Sequence, residues 1–135
     1  MVAMGISQVQ PESMPPPVAK YAHAMAVTAG SDMVFTSGVV PTMPDGTVPG
    51  SLEGQARVVW ANLIEILRAS GMVVSNIVSV TTYVVYATDL SQRLAVVMGV
   101  RDEVMGGHRA ASTLVSVPGL ARPEWLIEIS VIAAC

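Results

Sequence analysis

Charged residues are scarce in this chain of 135 residues, at 13% of the sequence, which is about half of the usual share of about 25%. Hydrophobic residues make up 52%. A small monomer cannot easily cover its surface with so few charges, so we expect an apolar surface to be hidden against other copies of the chain. The length suits one domain that buries a real core.

Basic clusters are absent, and aromatic residues make up only 4% of the chain. The net charge is −3, and the 7 Lys and Arg residues stand singly along the sequence. Proteins usually bind a phosphate backbone with clustered cations and single-stranded bases with stacked aromatic rings. The composition therefore argues against nucleic acid as a partner.

Cysteine occurs once, as Cys135, so no disulfide can form within the chain. Two histidines without a Cys-X-X-Cys pair give no zinc pattern, and we expect neither a metal nor another cofactor. No apolar run approaches the roughly 18 residues of a membrane span, and the N-terminus does not resemble a secretory signal. We therefore expect a reduced, cytoplasmic protein with no membrane partner.

Proline and glycine divide the chain into short strands and two helices. Residues 1–20, with prolines at four positions, are predicted to be an N-terminal arm or loop ahead of a single domain at 21–135. Two short strands, about 22–28 and 33–39, are expected to form a hairpin around Gly30-Ser31-Asp32. Later strands are predicted at 77–85, in STLVSV and in WLIEISVIAA.

Helix signals separate the later strands. Ser51 caps a helix that has apolar residues at helical spacing and ends at Gly71. Thr88 or Asp89 caps a second helix that runs to about Val104. The order β-β-α-β-α-β-β predicts an α/β (α+β) fold, in which both helices pack on one face of a mixed sheet. The other face is left bare, and we expect it to meet another subunit.

One charged residue lies inside the last predicted strand. Glu128 stands between Ile127 and Ile129, where a carboxylate is expensive to bury without a partner. Two interpretations remain open. Glu128 is either a site carboxylate that acts as an acid or base in catalysis, or an interface carboxylate held by backbone N–H groups or by an arginine of a neighbour.

In their order and spacing, the segments YAHAMAV, FTSGVVP, NLIEILRASG, NIVSVTTYVV and WLIEISVIA resemble the RidA/YjgF/YER057c/UK114 family. The resemblance runs from about Tyr21 to Ala134. It implies a chorismate-mutase-like fold and a homotrimer with clefts between subunits. The best-known members hydrolyse enamines and imines made from amino acids, which releases ammonia and a 2-keto acid. Other members have been called endoribonucleases or translation inhibitors.

The same resemblance implies roles for several residues. Glu128 matches the glutamate that positions the attacking water, and Tyr21 matches an aromatic residue that closes over the ligand. Ser37 and Gly38 match residues that line the cleft, and the backbone N–H near Leu114 is placed to donate to a bound oxygen. Structural alternatives stay open, because Tyr21 can simply pack on a neighbour and Gly38 can simply permit a bulge or a close approach.

Ser112 marks a departure from the family pattern. Catalytic members carry an arginine there, whose guanidinium holds the substrate carboxylate, and its loss removes about 2–5 kcal/mol of binding. Arg109, in the preceding loop, either reaches the cleft or forms a surface or inter-subunit ion pair. The sequence thus leaves two hypotheses, an imine-deaminase-type hydrolase for a small-molecule ligand and a trimeric module that binds a metabolite without turnover. RNA cleavage is a third, which the charge disfavours.

Overall fold

The computed structural model describes residues 5–135. The chain begins with three short strands, β1 (Ile6–Val9), β2 (Ala24–Val27) and β3 (Met33–Phe35). The helix α1 (Leu52–Ala69) and a 3₁₀ turn (Val74–Asn76) follow. The last elements are β4 (Ile77–Val85), the helix α2 (Leu90–Met105), β5 (Ala111–Val117) and β6 (Ile127–Ala134). The predicted fold class and element order are confirmed, with β1 as an additional strand.

The main sheet has four strands in the order β3-β6-β4-β5. β4 and β5 run parallel, whereas β6 is antiparallel to both of its neighbours. Parallel neighbours need a long crossover connection, and α2 supplies it between β4 and β5. The sheet is therefore mixed, as predicted.

The core lies between the helices and one face of this sheet. Burial alternates along β4 and β6, as expected for strands with one covered face. Apolar side chains of α1 and α2 fill the layer above it, among them Trp60, Leu63 and Val97. Because both helices lie on this side, the opposite face of the sheet is left uncovered within one copy of the chain.

The predicted hairpin between residues 22–28 and 33–39 is wrong. β2 pairs antiparallel with β1, from Ile6↔Val27 to Val9↔Ala24, whereas β3 pairs with β6. The stretch predicted as an arm or loop thus supplies a strand, and its residues 1–4 lie outside the described residues. A local alternation pattern indicates a strand but does not identify its partner, which depends on how the whole sheet assembles.

Local sequence signals set the helix ends. The Ser51 hydroxyl accepts a hydrogen bond from the Gly54 N–H at 3.0 Å, as predicted. Gly71 follows α1 with φ 73°, a conformation that favours glycine. Asp89 is the N-cap residue of α2, but its side chain makes no capping hydrogen bond and instead pairs with Arg93 at 3.1 Å. Within residues 5–135, neither helix is long and apolar enough to span a membrane.

Gln55 ties α1 to the chain that enters β6. Its side-chain nitrogen donates to the carbonyls of Pro49 and Glu124, both at 2.9 Å. Its side-chain oxygen accepts a hydrogen bond from the Leu126 N–H at 2.8 Å. Gln55 is 1% exposed, and Leu126 lies two residues before Glu128. This buried amide therefore fixes where the last strand begins.

Replacing Gln55 with methionine is expected to lower the free energy of unfolding by about 2–4 kcal/mol, because a buried donor or acceptor left without a partner costs about 1–3 kcal/mol. Methionine keeps the volume of the side chain but makes none of the three hydrogen bonds. The measurement is urea denaturation. Gln92→Met on the exposed side of α2 is the matched control and is expected to change stability by less than about 0.5 kcal/mol. Equal effects in the two variants would contradict this role.

Candidate functional site

Glu128 is the only Asp, Glu, Lys or Arg in the four strands of the main sheet. It lies opposite Tyr83 of β4, on the face that the helices leave uncovered. The side chain is half-buried, and in the part of the chain that the structure describes its carboxylate has no hydrogen-bond or ion-pair partner. Its oxygens are not sealed from solvent. Among residues 5–135, neither a backbone N–H nor an arginine therefore holds this carboxylate.

Gly38 lies directly against the Glu128 side chain. A Cβ atom at Gly38 would stand 2.6 Å from the carboxylate carbon of Glu128 and 2.9 Å from its Cγ. These distances are too short for real contacts, so a larger residue would displace the glutamate. Gly38 does not have a positive φ, so space rather than backbone conformation requires glycine here. Gly38 thus permits a close approach, which was one of its predicted roles, and the group that approaches it is the Glu128 carboxylate.

A bulge brings Gly38 into this position. Thr36 and Val39 each donate a backbone hydrogen bond to β6, at 3.0 and 2.7 Å. Between them, two residues, Ser37 and Gly38, face the single residue Ser130 of β6. An extra residue in one strand of a pair bends that strand and re-aims the residues beside it. β3 is therefore shorter than the predicted strand at 33–39, and the exposed Ser37 lies in the bulge, next to Gly38, rather than in a regular ladder.

A second amide of α1 holds the segment that follows the bulge. The Asn62 side-chain nitrogen donates to the carbonyls of Val40 and Thr42 at 3.3 and 3.0 Å. Asn62 lies two turns after Gln55, so both amides project from the same side of α1. Together they fix the two segments that bring Gly38 and Glu128 into contact. An amphipathic pattern alone does not distinguish these amides from solvated ones.

Three other predicted site residues lie at the amino end of β5, namely Tyr21, Arg109 and Ser112. Ala22 forms a parallel bridge with Ala111, and its N–H donates to the Ala110 carbonyl at 2.9 Å. This contact places Tyr21 at the edge of the main sheet. Its ring packs edge-on against His23, with ring centroids 6.0 Å apart.

Ser112 and Leu114 project away from the face that carries Glu128. They pair in register with Val80 and Thr82 of β4, whose side chains are buried on the helix side. Neighbouring residues in register point to the same side of a sheet, and Leu114 packs against the core. A contribution of Leu114 to a ligand near Glu128 would therefore come from its backbone, as predicted from the sequence.

These two groups of residues are far apart within one copy of the chain. Ala111 is level with Ser79, which lies four residues before Tyr83, the partner of Glu128. With about 3.3 Å per residue and about 4.8 Å between strands, Ala111 lies roughly 13 Å along the sheet and roughly 10 Å across it from Glu128. A single copy therefore cannot bring both groups to one small ligand.

Arg109 is exposed, with fixed residues on either side of it. The His108 Nε2 atom lies 2.7 Å from the Ile77 carbonyl oxygen, and Ala110 is 2% exposed. Across the described range, 5–135, Arg109 makes no ion pair or side-chain hydrogen bond. Two ion pairs were considered for Arg109, one on the surface of its own copy and one across subunits. Only the inter-subunit pair remains.

The fold, together with a last strand that carries a single glutamate, Glu128, defines a class of small α/β proteins. The family model described as Endoribonuclease L-PSP matches residues 11–135, and the chain belongs to this family. The sequence-based recognition is therefore confirmed at the family level.

Curated relatives and solved structures agree with this assignment. The Escherichia coli protein described as "Putative reactive intermediate deaminase TdcF" is 32% identical over 114 residues, which cover 82% of this chain and 84% of TdcF. Protein HMF1 of Saccharomyces cerevisiae is 31% identical over 110 residues, which cover 81% of this chain and 80% of HMF1. The Rid-family protein YyfB of Yersinia pestis has a TM-score of 0.85 at 30% identity, over 98% of this chain and 100% of YyfB. The structure of E. coli TdcF with bound serine has a TM-score of 0.66 at 28% identity, over 96% of this chain and 98% of the TdcF chain.

Proposed function

We propose that the protein is a hydrolase of reactive imines and enamines, and that its site forms between copies of the chain in a homotrimer. The observation that carries this proposal is the separation of the two groups of site residues. One group contains Glu128, Ser37 and Gly38, and the other contains Tyr21 and Arg109 at the amino end of β5. When the β5 edge of one copy lies against the uncovered face of the next, both groups line one cleft.

Apolar side chains on the uncovered face support such an assembly. Phe35, level with Ile132 of β6, is 68% exposed, and Val115, level with Tyr83, is 40% exposed. Large apolar side chains on a surface with few charges are typical of subunit interfaces. The same contact would place Glu128 in a cleft between two copies, with room for a small ligand.

Glu128 has the surroundings of a general base. Its carboxylate is half-buried, open to solvent and free of partners among residues 5–135 of its own copy, so it can accept a proton from a water molecule. The water oxygen forms a bond to the imine carbon, and the proton passes through Glu128 to the nitrogen. The hydroxyl proton of the resulting carbinolamine then moves to the nitrogen, the C–N bond breaks, ammonia leaves and a carbonyl compound remains. The reaction consumes only the imine and one water molecule.

Ammonia release from imines tests this proposal. An amino-acid oxidase generates the imine in situ, with catalase to remove peroxide, and the wild-type protein is expected to accelerate ammonia release above the uncatalysed rate. Sedimentation is expected to give the mass of a trimer. A monomer in solution would contradict a cleft shared between copies, and an unchanged rate with every imine would contradict the hydrolase.

A binding module without turnover is the second candidate. Ser112 favours it, because serine stands where catalytic relatives carry a charged residue for the substrate carboxylate. In that case a metabolite would raise the unfolding temperature of the protein, while the rate of imine hydrolysis would stay at the background. RNA is a weaker candidate substrate despite the description of the family, because the chain has a net charge of −3 and scattered cations.

A further inference from the structure

Thr36 is the residue directly before the bulge formed by Ser37 and Gly38. Its N–H donates to the Val131 carbonyl of β6 at 3.0 Å, and in a regular antiparallel pair the Val131 N–H would donate back to the Thr36 carbonyl. Instead, the Val131 N–H donates to the Thr36 hydroxyl oxygen at 2.9 Å. The side chain therefore takes the place of a backbone carbonyl at the point where the bulge interrupts the ladder.

The same hydroxyl also forms a hydrogen bond inside the bulge. It donates to the Ser37 carbonyl oxygen at 2.8 Å, and it can accept and donate at once because a hydroxyl has one donor and two acceptor lone pairs. The Ser37 carbonyl and the Gly38 N–H belong to one planar peptide unit. The bond to this carbonyl therefore fixes the direction from which the chain enters Gly38.

Both ends of the bulge are thus held on β6. At the end after Gly38, Val39 and Ile129 exchange two backbone hydrogen bonds, at 2.7 and 3.1 Å. At the end before it, the second of the two bonds depends on the Thr36 hydroxyl. A Cβ atom at Gly38 would stand 2.9 Å from the Glu128 Cγ. Because this contact leaves so little space, a change in the shape of the bulge changes where the Glu128 carboxylate can lie.

We propose that Thr36 is a positioning residue for the reaction, because its hydroxyl holds the bulge in the shape that keeps Gly38 against Glu128. This inference rests on the proposed function. Serine would keep the hydroxyl and both of its hydrogen bonds. Valine would keep the shape of threonine but make neither bond, and it would place a methyl group against the Val131 N–H. The two substitutions therefore separate the hydroxyl from the rest of the side chain.

Ammonia release from an imine generated by an amino-acid oxidase tests this role. Thr36→Val is expected to lower kcat about 10- to 10²-fold, because a displacement of about 1 Å in a catalytic group can cost about 10²-fold in rate. KM is expected to change by less than about 3-fold, since Thr36 acts on the position of Glu128 rather than on the substrate. Thr36→Ser is expected to keep kcat within about 3-fold of the wild type. Thr36→Ala, which lacks the hydroxyl but adds no methyl group at the Val131 N–H, is expected to show the same loss as valine.

Thr47→Val is the matched control. Thr47 is exposed, and its hydroxyl donates to Asp45 Oδ1 at 2.6 Å, so the substitution also removes a hydroxyl hydrogen bond but is expected to leave kcat unchanged. In the Glu128→Gln background, Thr36→Val is expected to cost less than about 3-fold. Equal losses in Thr36→Ser and Thr36→Val would overturn the inference, because the hydroxyl would not be the group that matters. Multiplied losses in the double variant would overturn it as well.

The amide resonance of Gly38 reports the same contact without any turnover. Glu128→Gln is expected to shift this resonance in the wild-type background, because it removes a charge that lies against Gly38. In the Thr36→Val background the shift caused by Glu128→Gln is expected to fall to less than about half, as for two groups whose coupling is lost, whereas the Thr36→Ser background keeps it.

The two measurements separate failure of this inference from failure of the proposed hydrolase. An equal shift of the Gly38 resonance in all three backgrounds would overturn the positioning role of Thr36, whatever the rate of ammonia release. A shift that depends on the Thr36 hydroxyl would support that role even if the wild type hydrolyses no imine, and in that case only the proposed reaction would be overturned.

Discussion

Glu128→Gln is expected to lower kcat for ammonia release about 10²- to 10⁴-fold, the range that general acid–base catalysis typically contributes. Glutamine has nearly the same shape as glutamate, so it fits against Gly38, but its amide cannot accept a proton from water. The KM is expected to change little, because the substituted group acts on water rather than on the substrate. The measurement is kcat and KM with 2-imino-2-phenylacetate, which an amino-acid oxidase generates in situ from phenylglycine.

Stability distinguishes a catalytic role of Glu128 from a structural one. In the described part of one copy the carboxylate has no partner to lose, and a neutral amide costs less to half-bury than a charge. Glu128→Gln is therefore expected to unfold at the same temperature as the wild type or slightly above it, and to remain a trimer. Glu65→Gln, on the exposed side of α1, serves as the control for removal of a surface carboxylate. Full activity in Glu128→Gln would mean that another group activates the water.

Local patterns predict much of the fold because they act over a few residues. The apolar spacing after Ser51 and the β-branched run before Val85 indicate a helix and a strand regardless of what packs on them. The partner of β2 is different, because β1 and β3 both offer a short strand and only assembly of the sheet selects one. Prolines at 11 and 15–17 also favour a loop in residues 1–20, and only Ile6–Val9 within that stretch forms a strand.

The candidate site is harder to predict because it depends on register and on a bulge. The sequence points to both Gly38 and Glu128, but their contact exists only because Ser37 and Gly38 together face one residue of β6. The face on which Ser112 lies follows from its register with Val80, which no local pattern specifies.

Gly38→Ala is expected to lower kcat about 10²-fold, although alanine is the smallest possible addition. The new methyl group would overlap the carboxylate, so the Glu128 side chain must rotate away from its position over the bulge. A shift of about 1 Å in a catalytic group can cost about 10²-fold in rate. The displaced atoms belong to the end of a flexible side chain, so the cost in stability is expected to be at most about 1 kcal/mol, at the low end for an overpacked site. Gly119→Ala, where a Cβ would meet nothing within 4 Å, is expected to leave kcat unchanged.

A double-mutant cycle shows whether Gly38 acts through Glu128. If alanine at position 38 lowers the rate only by displacing the carboxylate, then adding Gly38→Ala to Glu128→Gln is expected to cost less than about 3-fold, because the function that it impairs is already gone. Multiplied losses in the double variant would instead show that Gly38 contributes separately, for instance by letting the ligand approach the backbone of the bulge. The cycle therefore tests the contact between Gly38 and Glu128 without assuming which imine is the physiological substrate.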